Sequence, residues 1–179
     1  MTGRPYTIAV VGDGNATEGS MAWRLGEEFG AALMTAGYRL ITGGLGGVME
    51  AACRGARRSV AHGPGSIVAL LPGHDPEEAN EYVDVAIPTG LGHLRNALVA
   101  HADALVAIGG GAGTLSEMAL AWIHDRLIIA FRVPGWSGSL ADARLDDRVR
   151  FEGVLDDRVH GVDTVMEALS VLEVRLHEH

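Results

Sequence analysis

Apolar and polar positions follow two rhythms along this chain: short unbroken apolar runs, and longer stretches with an apolar residue every three or four positions. Residues 6–11 form a β-rich apolar run that stops at GDGNA. Residues 21–36 then place Ala22, Leu25, Phe29, Leu33 and Ala36 at helical spacing. The unit recurs, with a strand predicted over 38–41 that ends at Thr42 and GGLGG, and a helix over 48–61. A third strand over 66–71 is closed by Pro72, and a polar loop over 73–81 leads to a short fourth strand over 82–87. From Leu91, the segment GHLRNALVAHA predicts a helix. It is followed by an apolar strand over 104–108, a second glycine loop, a helix from Thr114 to about Asp125 and a strand over 127–131. Val165, Leu169, Leu172 and Leu176 make one apolar stripe, so a closing helix is predicted to pack on the sheet. The stretch 135–160 reads as loop with a short strand. It carries LDDRV twice, at Leu145 and Leu155, a unit too short for a repeat architecture.

Continuous apolar runs alternating with helices, rather than strict in-and-out alternation, mark parallel strands covered on both faces. The fold class is therefore α/β, a Rossmann-like, doubly wound, mostly parallel sheet with helices on both faces. A length of 179 residues with 47% hydrophobic content suits one nucleotide-binding domain over residues 1–179. No apolar stretch approaches the ~20 residues that span a bilayer, and the start MTGRPYTIAVVG lacks a secretory pattern. The expected location is cytoplasmic, without a membrane partner.

Composition narrows the chemistry. All 14 basic residues are Arg, which removes the lysine of a Walker A loop and the lysine that pyridoxal phosphate needs for its Schiff base. A net charge of -9 opposes nucleic-acid binding and leaves room for a small anionic ligand. The basic run Arg54, Arg57 and Arg58 reads as a solvated helix face, and the single cysteine, Cys53, as a buried structural thiol. The histidines show no metal-ligand spacing on one element, so no metal is predicted.

The candidate chemistry lies at the ends of strands. Glycines at a strand-to-helix junction let the backbone approach a ligand, while the first unpaired N–H groups of the helix and its dipole favour an anion. Two such loops are present, one with Gly43, Gly44, Gly46 and Gly47, the other with Gly109, Gly110, Gly111, Gly113 and Thr114. Phosphate is their natural guest, at the edge where α/β sheets bind ligands. The earlier GDGNAT loop supplies Gly12 but lacks the third glycine of the dinucleotide fingerprint. No acidic residue ends the second strand either, which argues against NAD.

Glu117 has two readings: a carboxylate facing the ligand, or the far half of a Thr-x-x-Glu capping box begun by Thr114. In either case the helix dipole favours its ionised form. Arg95, after a glycine-flanked turn, either forks onto a phosphate or pairs with a neighbouring acid. His93, two residues earlier, sits at a helix start, where a histidine more often caps or packs than reacts.

Taken in order, ITGGLGGVMEAACRGA at 41–56, IPTGLGHLRN at 87–96 and AIGGGAGTLSEMALA at 107–121 resemble the LONELY GUY-like branch of the SLOG superfamily. That superfamily of Rossmann nucleotide-binding proteins also includes molybdenum cofactor carrier proteins and the DNA-processing protein A domain. The resemblance covers the chain to about Phe131. It implies hydrolysis of the N-glycosidic bond of nucleoside 5'-monophosphates, with the loop and Thr114 on the phosphate. Glu117 would then stabilise the developing oxocarbenium or orient the water, and Arg95 would assist departure of the base. It also implies a homo-oligomer, no resident cofactor and a small nucleotide or phosphate-bearing ligand as partner.

The sequence departs from the enzymes' pattern. Ile108 and a third glycine stand where their loop has proline, Ser116 and Glu117 replace paired glutamates, and GGLGGVME replaces a GGG-x-x-GLMG motif. These departures resemble the uncharacterised and cofactor-carrier relatives. The leading expectation is thus a nucleotide-binding phosphoribohydrolase acting through Arg95 and Glu117. The alternative is a non-catalytic carrier of a pterin-type cofactor, or a nucleotide sensor. A lysine decarboxylase, an older label in this superfamily, is rejected because no lysine is present to hold pyridoxal phosphate.

Overall fold

The structure is a computed structural model and describes residues 4–176. Seven strands form one sheet in the order β4-β3-β2-β1-β5-β6-β7, all neighbours parallel. They are β1 (Thr7–Gly12), β2 (Arg39–Thr42), β3 (Ile67–Leu71), β4 (Val85–Pro88), β5 (Ala104–Ile108), β6 (Leu127–Phe131) and β7 (His160–Val162). The helices are α1 (Met21–Thr35), α2 (Val48–Arg58), α3 (Asn96–Val99), α4 (Ala112–Ile123), α5 (Trp136–Leu140) and α6 (Val165–Arg175). The chain runs outward from β1 to β4 and then returns to lay β5 against the other side of β1. This reversal opens a crevice beyond the ends of β1 and β5, where Gly12 pairs with Ile108.

Side chains that alternate along each strand feed two separate cores. Ile8 and Val10 of β1 join Phe29 and Leu33 of α1, with Leu172 of α6, on one face. Ala9 and Val11 join Met118 and Trp122 of α4 on the other. Both faces are covered, as the unbroken apolar runs predict, and β5 and β6 are buried throughout.

Three stretches differ from the sequence reading. The helix expected from Leu91 splits into a 3-10 turn, Gly92–Arg95, and the single turn of α3. Gly90 and Gly92 take positive φ there, and the Gly92 amide is held by the Pro72 carbonyl at 2.9 Å. The fourth strand starts at Val85 rather than residue 82, because Val83 N–H closes a turn onto the Asn80 carbonyl first. Within 135–160 the structure adds α5. The two LDDRV copies have unlike surroundings, Val149 being exposed and Val159 buried. The basic run is also not a uniformly solvated face. Arg54 is buried between Glu18 at 2.7 Å and Glu27 at 2.8 Å and lies over the Trp23 ring, whereas Arg57 and Arg58 are exposed and pair with Asp84 and Glu27. Cys53 is buried, and burial pushes its thiol up to about 11.

Helices α1 and α2 pack backbone to backbone. A Cβ at Gly30 would overlap the Ala52 carbonyl, and one at Gly55 would overlap that of Glu27. Gly30→Ala pits a helix-propensity gain of ~1 kcal/mol against an overpacking cost of up to ~3 kcal/mol that no rotamer change relieves. The variant is expected to lose about 2 kcal/mol in urea denaturation. Unchanged or increased stability would show that the two helices can move apart freely.

Candidate functional site

The crevice between β1 and β5 is walled by the first turns of α4 and by the segment that precedes α3. Gly111 is the N-cap of α4, and the amides of Gly111, Ala112, Gly113 and Thr114 meet no backbone acceptor among the described residues. They leave the orphan donors and positive dipole end that attract an anion. Two hydroxyls hold this end in place. Thr114 Oγ1 donates to the Gly12 carbonyl at 3.1 Å, and Ser137 Oγ accepts the Gly109 amide at 2.7 Å while donating to the Phe131 carbonyl. Gly110 turns the chain at φ +92°, and a Cβ on it would overlap the Thr114 side chain.

Arg95 comes from the 3-10 turn opposite. Its guanidinium lies on the bare backbone of Gly43, where any Cβ would overlap it. Nη1 reaches Glu117 Oε1 at 3.5 Å, and the two side chains are only 9% and 8% exposed. Arg95 Nε is buried and has no partner among the described residues. Among the described residues the guanidinium has one long contact, and its buried Nε is an unpaired polar group of the expensive kind. A buried pair with one long contact gains little against the cost of desolvating both charges.

Burial also shifts the protonation of Glu117. It pushes the carboxyl up to about 7, with Arg95 pulling the other way, and it lowers Arg95 against the opposing pull of Glu117. The ionised carboxylate expected from the helix dipole is therefore corrected to a group that titrates near neutrality. The capping box does not form either. Thr114 and Glu117 both lie inside α4, whose N-cap is Gly111, and neither caps it.

The structure gathers Gly12, Gly111, Gly113, Thr114, Arg95 and Glu117 around one cleft of about 190 Å³. Gly109 and Gly110 form the turn beneath it. Gly43, Gly44, Gly46 and Gly47 do not line it. Gly43 seats Arg95, Gly44 packs on Ala69 and Leu71, and Gly47 meets the backbone of Asp13 and Gly14. At the N-terminus of α2, Val48 N–H already bonds the Asp13 carbonyl and Glu50 stands in the first turn. His93 is exposed at the rim. Sequence reasoning missed Gly14, Met49 and Asn96, which complete the lining. Only the position of Asn96 directly after Arg95 could have pointed to it. No helix among the described residues is long and apolar enough to cross a membrane.

A family model described as the SLOG cluster4 family matches residues 5–168. An uncharacterised protein of Archaeoglobus fulgidus is 38% identical over 128 residues, covering 71% of this chain and 80% of that protein. A solved structure described as the molybdenum cofactor binding protein of Rippkaea orientalis is 29% identical, with a TM-score of 0.79 over 96% of this chain and 98% of that one. The molybdenum cofactor carrier protein of Chlamydomonas reinhardtii is 28% identical, with a TM-score of 0.73 over 95% and 97%. These similarities overturn the expectation of a phosphoribohydrolase. The near full-length likeness is to cofactor-binding and carrier proteins.

A pH dependence of stability follows. Glu117 is raised from 4.5 to about 7 on folding, so its contribution is fully present below pH 4.5 and is lost as pH rises through 7. Between pH 4.5 and 8 the protein should lose about 3 kcal/mol relative to Glu117→Gln, measured as the difference in pH slope of their unfolding free energies. Parallel slopes would contradict this.

Proposed function

Because the chain belongs to the SLOG cluster4 family, we propose that it is a non-catalytic carrier that grips the phosphate end of a pterin-type cofactor. The observation that carries this reading is the under-satisfied Arg95 guanidinium, buried opposite the free amides at the start of α4. A phosphate placed between them would take charge-assisted bonds from the guanidinium and neutral ones from the amides, supplying partners that the protein lacks. The likeness to the Rippkaea and Chlamydomonas proteins supports the same cargo. The metal, as part of that cargo, would come and go with it.

Cleft size favours holding over enclosing. About 190 Å³ falls below the ~300–1,000 Å³ of pockets that bury a whole drug-sized ligand. Such a site takes the phosphate and leaves the rest of the cargo across the rim, near Met49 and His93. Presentation at a rim suits delivery to a second protein.

Glu117 tunes this grip. An incoming dianion disfavours a neighbouring carboxylate, so binding draws a proton onto Glu117, and affinity falls as pH rises through about 7. Native mass spectrometry of the purified protein should find a phosphate-bearing pterin. Calorimetry with the same class of ligand should show Arg95→Met weakened at least tenfold, on the scale of one charged hydrogen bond, ~1.5–3 kcal/mol. A nucleotide as the only retained ligand would redirect the cargo, and unchanged affinity in Arg95→Met would contradict the reading.

A further inference from the structure

Asn96 follows Arg95 and is buried, with 4% of its surface exposed, yet it lines the cleft. Its Nδ2 lies 2.7 Å from Ser116 Oγ, and that oxygen lies 2.7 Å from the Gly113 carbonyl. A carbonyl only accepts, so the single Ser116 proton goes to Gly113, and Ser116 must accept from Asn96. The chain Asn96 to Ser116 to Gly113 thereby fixes which end of the amide is which. The donor end is used, and Oδ1, an acceptor, has no partner among the described residues.

Consecutive residues are paired with consecutive residues here: Arg95 with Glu117, and Asn96 with Ser116. The Arg95 side presents donors to an anion. The Asn96 side adds a neutral acceptor of fixed orientation, which the dianionic phosphate of a monoester, itself only an acceptor, does not satisfy. A hydroxyl or ring N–H next to the phosphate does satisfy it.

Resting on the phosphate-binding reading above, we infer that Asn96 is the specificity-determining residue of the cleft. It selects phosphate monoesters that carry a hydrogen-bond donor beside the phosphate over those that do not. Ser116 is its positioning residue. Ser116 and Glu117 stand where the LONELY GUY enzymes' pattern has paired glutamates, and here the Ser116 hydroxyl orients the amide.

The test is calorimetry with glycerol phosphate, n-propyl phosphate and inorganic phosphate on the full chain, read as ratios of Kd. The wild-type protein is expected to bind glycerol phosphate about fivefold more tightly than propyl phosphate, the size of one neutral hydrogen bond. In Asn96→Ala the ratio collapses to near one, whatever the absolute affinities. Ser116→Ala, at a less buried position, releases the amide and shrinks the ratio, while Ser116→Thr, which keeps the hydroxyl, restores it. A variant that weakens all ligands in equal proportion, or a ratio that survives Asn96→Ala, overturns the inference. A wild-type protein that binds none of the three refutes the phosphate reading, and this inference falls with it.

Discussion

Arg95 and Glu117 meet 3.5 Å apart where less than a tenth of either side chain reaches solvent, and much of the fold is arranged to bring them there. The doubly wound order places β5 beside β1, so α4 and the segment before α3 face each other across one crevice. Gly43 gives up its side chain so that the guanidinium has a seat, and Gly110 turns the chain so that Thr114 can bolt α4 to the end of β1. In the free protein one long contact gives little return for the burial of both charges. On the proposed reading, an anion held between the pair and the free amides of α4 supplies the partners the free protein lacks.

On the carrier reading, the protonation of Glu117 governs how an anion is held. An ionised carboxylate fixed beside an arginine would neutralise it and repel a phosphate, whereas a carboxyl that titrates near 7 lets the guanidinium meet the incoming charge. On the carrier reading, loading and proton uptake are one event, and a rise in pH would loosen the grip. On the proposed reading the site is a reversible clamp, with Asn96 and Ser116 adding a neutral test of what stands next to the phosphate.

The fold was largely legible in the sequence because its strands are buried on both faces. The runs 104–108 and 127–131 correspond to β5 and β6 residue for residue, and α1 and α6 follow their apolar stripes. Legibility failed where local pattern yields to distant contact. GHLRNALVAHA has helical composition, but the Pro72 carbonyl and two positive-φ glycines break it into a 3-10 turn that aims Arg95. GGLGG looks like a phosphate loop, yet Gly43 is held open by an arginine far along the chain. Thr-x-x-Glu matches a capping box only if the helix starts at the residue after Thr114, and it starts at Ala112. Dipole reasoning favoured an ionised Glu117, but desolvation, which no sequence pattern encodes, is the larger effect.

The most direct measurement is a carboxyl 13C NMR titration of Glu117 in the free protein and with saturating phosphate ester. A midpoint near 7 that moves upward when the ligand is present is the predicted result. A midpoint near the ordinary 4.5, unmoved by ligand, would contradict both the burial of the pair and its role in holding an anion.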